Sequence, residues 1–131
     1  MENNRAPRLE AVDAALRKAI EEARKGGLKI RQGTWGVQRS NEDEEGKRFY
    51  VAQNNIGEPN CLCPMSCLLI GTESKTGDVY SPEDDAAALL GISSDEVTNF
   101  VVGFDEAEMD VDHVQDEYYF LGRGYRKQVD A

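Results

Sequence analysis

Five apolar residues, Leu9, Val12, Leu16, Ile20 and Ala23, recur every three or four positions, and Gly26-Gly27 closes the run. That spacing is the period of one helix face. It predicts an amphipathic helix of about five turns, with Pro7 as its first helical residue and the glycines as its stop. A stripe of that length needs a covering surface from the rest of the 131-residue chain. Folding at this size removes about two-thirds of the chain's surface from water, enough for a core without disulfide or metal staples.

The remaining pattern supplies the cover. Residues 1–6 are polar and are expected to be loose, with one domain over 7–131. Residues 28–39 and 47–53 read as extended. Trp35 and Val37 alternate with Gly36 and Gln38, and Phe49 and Val51 alternate with Arg48, Tyr50 and Ala52. The polar loop between them predicts a β-hairpin. Cys63-Pro64 then precedes an apolar run, Met65 to Ile70, with two readings: a short helix capped at Cys63 and closed by Gly71, or a buried strand.

Ser81-Pro82-Glu83-Asp84 is a helix start and Gly91 a stop. Ser93 and Glu96 repeat the capping pattern ahead of Val97, Phe100, Val101 and Phe104. A last helix is expected from about His113, carrying Val114, Tyr118, Leu121 and Tyr125. Gly122 and Gly124 either allow close packing there or fray the end, each weakening the helix by roughly 1 kcal/mol. The stripes from the first and the last two helices are expected to share one core. The fold class that follows is α+β, a mainly helical single domain with a small antiparallel hairpin or sheet near the N-terminal third.

Charge divides the chain. Residues 1–40 hold nine bases and five acids, whereas residues 41–131 hold six bases and 20 acids, and the net charge is −10. Between Glu73 and Leu121, 14 acids face the single base Lys75. Such a surface repels phosphate backbones, so direct nucleic-acid binding is not expected. The plain reading is a solvated face that keeps a small protein in solution. The functional reading is a surface for a basic protein partner, centred on the densest acidic run, Asp105, Glu106, Glu108, Asp110 and Asp112. A second copy is the related option, with the basic first helix meeting the acidic face. No stretch approaches the roughly 18 apolar residues of a membrane span. No secretory signal pattern opens the chain, so a cytoplasmic location is expected.

Four short segments carry a resemblance. Cys63-Pro-Met-Ser-Cys-Leu-Leu-Ile-Gly71, Ala87-Ala-Leu-Leu-Gly-Ile92, Gly103-Phe-Asp105 and Tyr119-Phe-Leu-Gly-Arg-Gly-Tyr-Arg126 resemble a CPxxxLLxG, LGI, GFD and YxLGRxxR pattern of small bacterial and phage proteins. The resemblance covers about the C-terminal half. It implies a compact helical module and no catalytic residue.

Chemistry-bearing clusters are few. Cys61, Cys63 and Cys67 form a C-x-C-x3-C group, and His113 is the only imidazole to complete a zinc set. The usual paired C-x2-C spacing is absent, and free cysteines commonly act as small buried apolar residues. No metal and no cofactor are therefore expected. Cys63 at a helix start is the candidate reactive thiol, since the positive helix end would lower its pKa. His113 lies among Asp110, Asp112 and Asp116 without a nucleophile motif. The acidic run misses the calcium-loop pattern, because Gln115 and Leu121 stand where Gly and Glu are required. A small-ligand pocket beside Trp35 and the hairpin, with an acidic rim disfavouring phosphates, is the remaining option. The expected function is a non-enzymatic acidic binding protein, with a thiol or metal site as the alternative.

Overall fold

A computed structural model describes residues 5–53, 61–77, 79–105 and 116–130. Helix α1 spans Arg5–Lys25. It starts upstream of Pro7, inside the segment expected to be loose. Val12, Leu16, Ile20 and Ala23 are buried along it, and Leu9 packs at the edge of the core. The chain leaves α1 where the Leu28 N–H returns to the Ala23 carbonyl.

Two small sheets follow. Strand β1 (Lys29–Ile30) pairs parallel with β4 (Cys61–Leu62), and β2 (Val37–Arg39) pairs antiparallel with β3 (Tyr50–Ala52). The β2–β3 pair is the expected hairpin, registered Gln38 to Val51. Asp43 organises its loop by accepting the Glu45 and Lys47 amides, each at 2.9 Å. Tyr50 is fully enclosed, while Val51 points outward. Between β1 and β2 the backbone passes over β4 at Gly36. Its φ is +70°, and a Cβ there would overlap the Cys61 carbonyl, so both conformation and space require glycine.

Helix α2 spans Pro64–Leu69, immediately after β4. The helical reading of the Met65–Ile70 run therefore holds, and the strand lies outside that run, at Cys61–Leu62. Helix α3 spans Pro82–Leu90 and stops at Gly91, whose N–H reaches the Ala87 carbonyl at 2.8 Å. The Ser81 hydroxyl does not cap it, and bonds Glu83 Oε1 at 2.9 Å instead. Helix α4 spans Ser94–Asp105 and opens with a reciprocal capping box. Ser93 N–H donates to Glu96 Oε1 at 2.9 Å, and Glu96 N–H donates to Ser93 Oγ at 3.1 Å.

Helix α5 spans Glu117–Gly124 and runs into a closing 3₁₀ turn, Tyr125–Gln128. It starts at Glu117 rather than near His113, because the Asp116 carboxylate accepts the Tyr118 and Tyr119 amides and fixes the N-cap there. Helices α4 and α5 meet at two glycines. A Cβ on Gly103 would overlap the Tyr119 carbonyl, and one on Gly122 would overlap the Phe100 carbonyl. The two backbones therefore approach where neither helix has a side chain.

One core joins the stripes of α1, α4 and α5. Leu16, Val97, Phe100 and Phe104 are fully enclosed, with Tyr118 beside them. Val101 and Leu121 are partly buried against it. Val114 lies outside the described residues. Among the described residues, no helix is long and apolar enough to cross a membrane.

Candidate functional site

The acidic half is anchored at the C-terminal end of α4. Asp105 Oδ1 accepts the Gly33 amide at 3.0 Å, and Gln32 Nε2 donates to the Phe104 carbonyl at 2.7 Å. Arg126 Nε donates to the Gly103 carbonyl at 2.9 Å. These donors satisfy carbonyls that a helix end leaves free. Asp105 nonetheless adds a negative charge at the negative pole of α4, where a carboxylate opposes the helix dipole. Of the run expected to meet a partner, Asp105 is placed here. Glu106, Glu108, Asp110 and Asp112 lie outside the described residues, as does His113.

A second acidic group stands at the starts of α3 and α4. The exposed Asp84 carboxylate accepts a hydrogen bond from the Ser94 hydroxyl, which joins the two helix starts. The Ser94 hydroxyl holds its pKa below the usual aspartate value. Asp95 is exposed on the first turn of α4. Among the described residues, no Lys or Arg lies within ion-pair distance of Asp84 or Asp95. Glu96 differs, with Arg8 at 4.0 Å and the capping bond to Ser93. From sequence these residues read as helix-start acids; the Ser94–Asp84 contact crosses from one helix start to the next and has no local signature.

The thiols are placed as core residues. Cys61, Cys63 and Cys67 are buried. Cys63 sits at the N-cap of α2 in extended conformation, with its sulfur 3.4 Å from Ser66 Oγ. The Cys67 thiol donates to the Cys63 carbonyl at 3.6 Å. Burial pushes the Cys63 thiol up to about 11, and burial with the neighbouring Cys63 pushes Cys67 up to about 12. This reverses the expectation of an activated Cys63. Desolvation of the thiolate outweighs the dipole of a six-residue helix. Among the described residues, no three His, Cys, Asp or Glu side chains are grouped to hold a metal ion.

The hairpin does carry a hollow, of about 390 Å³, lined by Val37, Arg39, Arg48, Gln53 and Tyr80. Trp35 packs against the core and does not line it. Its charged lining is two arginines, so the expected acidic rim is corrected to a basic one. Arg39 lies 5.8 Å over the Tyr80 ring and Arg48 pairs with Glu42 at 3.2 Å, so both cations are engaged.

Comparison of the chain with protein-family models, with curated proteins and with solved structures finds no match.

Proposed function

We propose that this chain is a non-enzymatic binding protein whose acidic second half engages a basic protein surface, as an inhibitor or regulator acting by charge mimicry. The observation that carries this reading is the Asp84–Asp95 corner. Its carboxylates stand exposed without a basic neighbour among the described residues, and Asp84 is oriented by a hydroxyl rather than neutralised by a cation. An oriented, unpaired carboxylate is available to an incoming Lys or Arg without first breaking an ion pair. Asp105 adds charge at the end of the same helix, ahead of four further acids by residue 112. Origin in a bacterium or phage belongs to the same proposal and rests on the segments noted above. The thiol alternative is weakened by burial of all three sulfurs, which keeps Cys63 and Cys67 protonated at neutral pH.

The test is capture of partners from extract with the wild type and with a variant carrying Asn at 84 and 95 together with Asn or Gln at 105, 106, 108, 110 and 112. The expected result is capture that weakens with salt and weakens in the variant, because opposed charges are screened over about 8–10 Å. Equal capture by both proteins at low and high salt contradicts the proposal.

A further inference from the structure

We infer that residues 126–130 form a strap that closes the outer edge of β1 and opens as a unit while the core stays folded. The inference does not draw on the acidic surface proposed above.

The strand edge sets the requirement. The Arg31 N–H donates to the Leu62 carbonyl at 2.9 Å, on the β4 side. Backbone groups alternate along a strand, so Ile30 turns its N–H and C=O away from β4. Among the described residues, no other strand covers that edge. Ile30 is completely enclosed, so both groups need partners. Asp130 supplies both. Its Oδ2 accepts the Ile30 N–H at 2.9 Å, and its own N–H donates to the Ile30 carbonyl at 3.0 Å. The chain arrives there extended, through Val129 at φ −63° and ψ 128°.

The rest of the attachment is polar and close to solvent. Arg24 pairs with Asp130 at 3.1 Å and donates to the Gln128 carbonyl and to Gln128 Oε1. Arg31 donates to the Asp130 carbonyl, and Arg126 to that of Gly103. The Arg24 and Asp130 side chains are 37% and 31% exposed, so water and salt reach the pair that latches the strap. Val129 is only partly buried. Tyr125, just before the strap, is held differently. It is buried, its ring meets Phe100 edge-on at 5.3 Å, and its hydroxyl donates to the Asp13 carbonyl at 3.0 Å. The chain therefore passes at Tyr125 from an apolar anchor to a polar latch, the contrast that separates a locally opening segment from the global fold.

Opening uncovers the Ile30 N–H and C=O beside the Arg24 and Arg31 side chains. A bare strand edge is a template for extended chain. The strap itself shows the chemistry this edge takes, extended backbone with one carboxylate. The strap thus guards the edge and is released when the Arg24–Asp130 pair weakens.

Amide hydrogen exchange of the full chain, followed residue by residue, tests this. It compares the wild type at low and high salt with Arg24→Gln, which keeps every acceptor on Asp130. In the wild type the Ile30 and Asp130 amides are expected to exchange through one common opening, at least about tenfold faster than the Leu16 amide in the middle of α1. High salt and Arg24→Gln are each expected to speed that opening, while the Leu16 amide and the β4-bonded Arg31 amide keep their protection. If Arg24→Gln also loses protection at Leu16, the wild-type salt series decides by the same outcomes. An Ile30 amide that exchanges only as slowly as Leu16 overturns the inference. So does exchange of Ile30 together with Arg31, which would mean that β1 itself unravels, or an opening that salt does not change.

Discussion

The Tyr50 hydroxyl donates to Asp85 Oδ2 across 2.6 Å, joining β3 to α3 through enclosed side chains. Asp85 is 5% exposed, and it also accepts the Ser74 hydroxyl and the Lys75 amide, each at 3.0 Å. A buried carboxylate is tolerated only when donors surround it. Tyr50→Phe leaves Asp85 with two of those donors and should cost about 1–3 kcal/mol. Asp85→Ala strands all three donors at once and should cost more. Urea denaturation of the two variants measures both. A smaller loss for Asp85→Ala would show that the carboxylate is a burden and not an anchor.

Stability should decline in alkali. Burial, helped by the neighbouring Asp85 and Asp13, pushes the Tyr50 and Tyr125 hydroxyls above the ordinary tyrosine value. Burial does the same to the Cys63 and Cys67 thiols. The folded state holds these protons more tightly, so in alkali the unfolded chain carries fewer protons and the folded state loses ground as pH rises. The contribution should be complete below about pH 8, and fade above about 8.5 for the thiols and 10 for the tyrosines. Urea midpoints between neutral and alkaline pH check this, and Tyr50→Phe should flatten the decline above about pH 10.

Thiol accessibility follows from the same burial. Cys61, Cys63 and Cys67 should react slowly with a disulfide reagent in the native protein and rapidly in denaturant, since the thiolate is the reactive form. A fast native phase of one thiol per chain would restore a reactive cysteine.

The glycines of the α4–α5 contact should behave unlike Gly124. Gly103→Ala or Gly122→Ala forces a methyl into a facing carbonyl and should cost about 3 kcal/mol or more. Gly124 faces open space and has a helical φ of −64°, so Gly124→Ala should be neutral or stabilise by up to about 1 kcal/mol. Denaturant melts of the three variants separate packing from propensity.

That contrast shows where the sequence is legible. The Leu9–Ala23 stripe, the Ser93–Glu96 box and the Asn41–Gly46 hairpin loop are local, and each states its element within a few residues. Gly122 and Gly124 look alike to helix propensity, and only the partner helix tells them apart. Nothing local in the sequence marks Gly103 as a packing glycine, because its reason lies on α5. The β1–β4 pairing joins two-residue strands across some thirty positions and has no periodicity to announce it. Cys63 was read from its helix-start position, a local dipole argument, while its pKa is set by the enclosing core. Four of the five acids assigned to a partner surface fall outside the described residues. Asp84 was visible only as a helix-start acid until Ser94 was placed beside it.

The central claim is that the position of the acids matters, beyond their sum. The direct measurement is partner capture by two charge-matched variants at low salt. One carries Gln or Asn at 106, 108 and 110. The other carries Gln at Glu10, Glu44 and Glu45, which are exposed and lie outside the run 105–112 in the sequence. Both lose three negative charges, so their net charges stay equal. The account predicts strong loss of capture for the first and near wild-type capture for the second. Equal loss for both would contradict it, leaving the acidity as a general surface charge.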